Sequence, residues 1–103
     1  MQESVVHIKI PSSVQDDFSS KNILLHLIAK ALAKKEYYRS QESFFAAKHG
    51  LTFSRFEAKV KKMKKENFEC WDDLMEWEAC HLAGQEWNKK HKDLLRCWKS
   101  SKK

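Results

Sequence analysis

Tight turns need glycine or proline, and this chain has almost neither: two glycines and one proline in 103 residues. Glycine supplies the positive φ of many turns, and proline pre-sets their entry. A chain so poor in both cannot make the many turns of an all-β fold. It points to a few long helices. The longest helical signal runs from Phe68 to Trp98, which holds all four tryptophans, Trp71, Trp77, Trp87 and Trp98. Leu74, Trp77, His81, Gly84, Trp87, His91, Leu94 and Trp98 recur at intervals of three and four, which places them along one side of a helix. Asp72 and Asp73 near its start and Arg96 and Lys99 near its end suit the helix dipole. At 1.5 Å per residue this helix is roughly 40 Å long. It has to cover its tryptophan stripe, either with the rest of this chain or with a partner.

Two further helices are expected upstream. Asn22 to His49 carries a broad apolar face in its first half (Leu24, Leu25, Ile28, Ala31, Leu32), thinning to Tyr38, Phe44 and Phe45. Lys30, Lys34, Lys35 and Arg39 lie opposite. Ser20 or Asn22 is placed to cap its start, and Gly50 to end it in the left-handed conformation. Thr52 reads as the N-cap of a helix reaching about Glu66, with Phe53, Phe56, Val60 and Met63 as its apolar seam. Asn67 interrupts before the tryptophan helix. At the other end, Val5 to Ile10 alternates: Val6, Ile8 and Ile10 on one side, Val5, His7 and Lys9 on the other. That is the pattern of a short half-buried strand, ended by Pro11. A lone strand leaves its backbone groups unsatisfied, so this one would pair with a second copy or a partner's sheet edge. Ser12 to Lys21 reads mainly as a connector. The expected fold is mainly α, with one N-terminal strand and three helices in an extended helical hairpin or open bundle. Residues 1–21 form an arm for dimerisation or DNA binding, 22–99 the helical domain, and 100–103 a frayed polar tail.

Few chemistries fit these residues. His81 and His91 share a face, but ten residues along a helix separate them by about 15 Å, and zinc ligands must converge on one point at about 2.0–2.3 Å. No CxxC or HxxxH occurs, so no metal is expected. Cys70, Cys80 and Cys97 sit among tryptophans and leucines, where cysteine serves as a small apolar residue. An odd count suits reduced thiols rather than a disulfide framework. The acidic residues Asp72, Asp73, Glu76 and Glu78 lie in the first turns of a helix, where the dipole alone accounts for them. Two isolated glycines make no phosphate loop. No enzyme and no cofactor is expected. Neither an eighteen-residue apolar run nor a basic-then-apolar leader occurs, so the expectation is a cytoplasmic protein without a membrane partner.

A net charge of +6 favours acidic partners. Lys61, Lys62, Lys64 and Lys65 are candidates for following a phosphate backbone, in a non-specific way because lysine reads no base pattern. The arm offers a second route. A strand followed by a helix is similar to ribbon-helix-helix proteins, in which paired strands of a dimer enter the major groove; His7 and Lys9 would be the readers. Against both stands recognition of a protein, since tryptophan dominates interface hot spots. The stripe from Leu74 to Trp98 is the candidate partner-binding face.

Two blocks carry a resemblance. Phe45-Ala46-Ala47-Lys48-His49-Gly50-Leu51-Thr52-Phe53-Ser54-Arg55-Phe56-Glu57 resembles the middle of small prokaryotic antitoxins, where an aromatic-rich helix is followed by Tyr-Gly-Met-Ser-Phe and Glu-Glu-Phe-Glu. Trp71-Asp72-Asp73-Leu74-Met75-Glu76-Trp77-Glu78-Ala79 resembles the same family's next block. The resemblance, to TumA-type antitoxins of type II toxin–antitoxin systems, spans about residues 38–95. His49 stands where the family usually has Tyr, and Arg55 where it tends to have Glu. It implies a small cognate toxin, an RNA-cleaving one, neutralised through the helical second half, with the antitoxin as a homodimer or in a hetero-oligomer with its toxin. The competing expectation is a ribbon-helix-helix-like DNA-binding regulator, and the two combine if the antitoxin represses its own operon.

Overall fold

A computed structural model describes residues 3–63 and 67–101. Within it, three α-helices follow a short 3-10 helix, Ser12–Phe18: α1 (Ser20–His49), α2 (Phe53–Lys61) and α3 (Phe68–Ser101). Helices α1 and α3 lie antiparallel. Pairs across them keep a near-constant sum of residue numbers, from Lys48 with Asp73, through Glu42 with His81 and Tyr38 with Gly84, to Lys21 with Trp98. The molecule is a helical hairpin of 61 × 29 × 22 Å. Its radius of gyration of 19.4 Å far exceeds the roughly 13 Å of a compact chain of this length.

The expected N-terminal strand is absent. Residues 3–10 adopt no regular structure, and Val5, Val6 and Ile8 are exposed, Val5 by 81%. Alternation marks a segment that fits a sheet, but a ladder needs a neighbour. Among the described residues no second segment offers an edge, so the pattern stays unpaired. Residues 12–18, expected mainly as connector, form the 3-10 helix instead, which packs back onto α1.

The seam between the long helices keeps a three-four rhythm on both sides. On α1 positions 24, 28, 31, 35, 38, 42, 45 and 49 are all covered; on α3 so are 70, 73, 77, 80, 84, 87, 91, 94 and 98, with 74 and 81 covered beside them. This is the register of knobs-into-holes packing. The enclosed core sits at the closed end, where Phe45, Phe56, Val60, Leu74 and Trp77 are buried, with Ala46, Leu51, Phe53 and Cys70 packed against them. Helix α2 supplies Phe56 and Val60 as a plug at this closed end of the hairpin. Toward the open end only Ala31 is fully buried.

Caps set the bends. Gly50 takes φ 64° and its N–H donates to the Ala46 carbonyl, the left-handed stop expected there. Thr52 caps α2 by accepting from the Arg55 N–H. The cap of α1 is Ser19, which accepts from the Asn22 N–H, rather than Ser20 or Asn22; the Asn22 side chain donates to the Asp16 carbonyl. Asn67, expected to interrupt, also caps α3, its side-chain oxygen accepting from the Cys70 N–H. Helix α2 stops at Lys61, short of Glu66. Met63, expected in the apolar seam, lies past the helix and is half-buried. Helix α3 continues through Ser100 and Ser101, which had been assigned to a frayed tail.

Candidate partner-binding surface

The eight residues of the expected binding stripe line the inside of the hairpin. Leu74 and Trp77 are enclosed in the core, Trp77 with 2% of its surface exposed. Its ring stacks against Phe45 and Phe56 at centroid distances of 5.8 and 5.4 Å. Burying a large apolar side chain stabilises a fold by about 1.5–3 kcal/mol, so the first task of these residues is folding. Gly84 lies against α1, where a Cβ added to it would stand 3.4 Å from the Tyr38 Cβ. The close neighbour at this glycine is therefore a side chain of the same molecule. Trp87, His91, Leu94 and Trp98 are half-buried along the open end. Lys90 stands 4.3 Å and Lys30 5.9 Å from the Trp87 ring centroid, and Lys21 stands 5.6 Å from that of Trp98. These contacts place cations on the ring faces, where the aromatic quadrupole attracts them.

Polar side chains inside the seam tie the two helices together, a pairing across helices that periodicity along one helix does not reveal. Glu42 Oε1 accepts from the Trp77 indole N–H at 3.3 Å and from His81 Nδ1 at 2.7 Å. Gln85 Nε2 lies 3.2 Å from His81 Nε2, extending the tie by one more residue of α3. Nearer the closed end, Asp73 Oδ2 lies 2.8 Å from both Lys48 Nζ and His49 Nε2. Burial disfavours the Asp73 charge, but Lys48 and His49 more than offset that and hold its carboxyl below the usual value. Asp73 in turn holds the Lys48 ammonium above its ordinary value, against the partial burial that opposes it. His49 also stacks on Phe56 at 4.0 Å. A signal for both ties was present: Glu42, His49, Asp73 and His81 fall on or beside the three-four seam, where a charge needs a partner.

The remaining chemistry is sparse. Lys35, Arg39, Glu42, His81, Gly84, Gln85 and Asn88 border an open cleft of about 300 Å³. Among the described residues no three His, Cys, Asp or Glu side chains converge to hold a metal ion. Burial, with Glu76 and Glu42 nearby, pushes the Cys80 thiol up, away from the thiolate a nucleophile needs. No helix among the described residues is long and apolar enough to cross a membrane. Of the nucleic-acid candidates, His7 and Lys9 are exposed on the arm, which lacks the strand that would have aimed them. Lys61 and Lys62 are exposed at the end of α2, with Lys61 3.5 Å from Glu57. Lys64 and Lys65 lie outside the described residues.

What the tryptophan helix shows the solvent is different in kind. Phe68 (73% exposed), Trp71 (37%), Met75 (68%) and Leu82 (56%) recur on α3 with exposed Ala79 among them, at spacings of three and four. They form a second stripe, opposite the seam and about 20 Å long. From residue 67 to residue 88 the chain carries Glu69, Asp72, Asp73, Glu76, Glu78 and Glu86 and no lysine or arginine, although the whole chain is at +6. Asp72, Glu76 and Glu78 are exposed and form no ion pair among the described residues. Set against known proteins, the chain matches no family model, no curated protein and no solved structure.

Proposed function

We propose that this chain is a protein-binding antitoxin, a rigid helical hairpin that docks onto a small cognate toxin through α3. The observation that carries the reading is the division of labour within the block from Trp71 to Ala79. Asp73, Leu74 and Trp77 turn inward and hold the hairpin. Trp71, Asp72, Met75, Glu76 and Glu78 turn outward, Met75 with most of its surface in solvent and Trp71 with about a third of it. Exposed tryptophan and methionine in one patch are what a partner surface uses. The same block carries the resemblance to TumA-type antitoxins, and that resemblance supplies the partner class. A hairpin with its own core also suits the role, because a preformed face loses little freedom on binding.

The ribbon-type DNA-binding reading draws no support from any described residue, since the arm forms no strand. The test of the antitoxin reading is co-expression of the chain with the product of the neighbouring reading frame. The expected result is a complex that survives purification and rescue of growth when that product is toxic. Two soluble proteins that neither associate nor affect each other's toxicity would contradict it.

A further inference from the structure

We infer that the outer stripe of α3, centred on Trp71, Met75 and Leu82, docks a protein surface whose apolar groove is rimmed by lysines or arginines. The inference rests on the protein-binding reading and names the face and the chemistry of its partner. Trp77 is enclosed by α1 and α2, and Trp87 and Trp98 are half-buried against α1, so an incoming protein would have to open the hairpin to reach their covered faces. The outer stripe needs no such opening. Its side chains follow an i, i+3, i+7 progression, the spacing with which a helix lays anchors into a groove.

Charge selects among the surfaces that could cover the stripe. Asp72 and Glu76 flank it on one side and Glu78 on the other, while Glu86, beyond Leu82, pairs with Lys90 at 3.4 Å. The three carboxylates beside the apolar strip make its surroundings negative, whatever the sign of the whole molecule. Nucleic acid and anionic lipid are repelled there. A second copy of the same stripe would bring like charges together, which costs stability at an interface. A basic protein surface gains at the rim and buries the apolar anchors at the centre, the usual anatomy of an interface. The exclusion of a nucleic-acid role holds for this face alone and leaves the exposed lysines of α2 outside the argument.

The test uses the full chain and two synthetic amphipathic helices with the same leucine pattern. One carries lysine at every polar position and the other glutamate. The lysine peptide should bind, with salt weakening it, and the glutamate peptide should not. In the double variant Met75→Gln, Leu82→Gln, which removes the apolar anchors without changing the charge, binding of the lysine peptide should fall about tenfold or more. Helical circular dichroism should stay at the parent level, because both side chains point to solvent. The inference is overturned if the glutamate peptide binds as well, if the variant binds as the parent does, or if the variant changes the sedimentation of the chain alone, which would assign the stripe to a second copy. Uptake of the parent, and not the variant, onto phosphatidylglycerol vesicles would also overturn it. The neighbouring-frame protein separates this inference from the reading beneath it. If parent and variant both bind that protein equally, the stripe is the wrong face and the antitoxin reading stands. If neither binds it while the lysine peptide discriminates, the face stands and the antitoxin reading falls.

Discussion

Asp73 shows how a single carboxylate can hold two helices. It is buried, it meets Lys48 and His49 at 2.8 Å each, and both partners belong to the last turn of α1. Its carboxyl is held below the ordinary value near 3.8. A group with a lowered folded-state pKa stabilises the fold above its unfolded pKa, and that contribution is lost as pH falls through the folded value. Unfolding in urea should therefore show stability declining below about pH 4. Asp73→Asn should cost about 1–3 kcal/mol at neutral pH, because half-buried His49 and exposed Lys48 lose their charged acceptor. The variant should also lose part of the acid-side decline. A variant with an unchanged acid limb would remove Asp73 from the account. Gly84 makes the opposite point. A Cβ there meets Tyr38 at ordinary van der Waals distance, and glycine within a helix costs roughly 0.5–1 kcal/mol relative to alanine. Gly84→Ala should raise the thermal midpoint, and a lowered one would show that the two helices approach more closely than described.

At the scale of elements, the helices were legible because their signals are local. Gly50 and Thr52 mark the turn between α1 and α2, and the three-four spacing from Leu74 to Trp98 marks the inner side of α3. Three things were not legible from the residues considered alone. The end of α2 at Lys61 was obscured by a lysine-rich continuation with good helix propensity. The strand at residues 5–10 was a correct pattern without a partner, and pairing is a non-local property that alternation cannot supply. The third is the identity of the cover. Periodicity shows that Trp77 faces something, and only the fold shows that it faces Phe45 and Phe56. The same limit applies to the outer stripe. Phe68, Trp71, Met75 and Leu82 also follow a helical rhythm, but the inner stripe, with three tryptophans and two histidines at the same period, is the stronger signal. With both stripes in view, α3 is apolar on two opposite faces in its first half, and only one of them is used by the fold.

The whole molecule is an elongated hairpin with an inside and an outside, closed at one end by α2 and held along its length by the seam. In the proposed function the two apolar faces of α3 have separate tasks, the inner one folding and the outer one binding. Met75 and Trp77 are two residues apart on the same helix and fall on opposite sides of this division. The direct measurement is equilibrium unfolding of the isolated chain carrying Trp77→Ala or Met75→Ala. Truncating the buried tryptophan should cost about 3–5 kcal/mol. Truncating the exposed methionine should change stability by no more than about 0.5 kcal/mol. Equal losses at the two positions, or a larger one at Met75, would contradict the assignment of inside and outside on which the account rests.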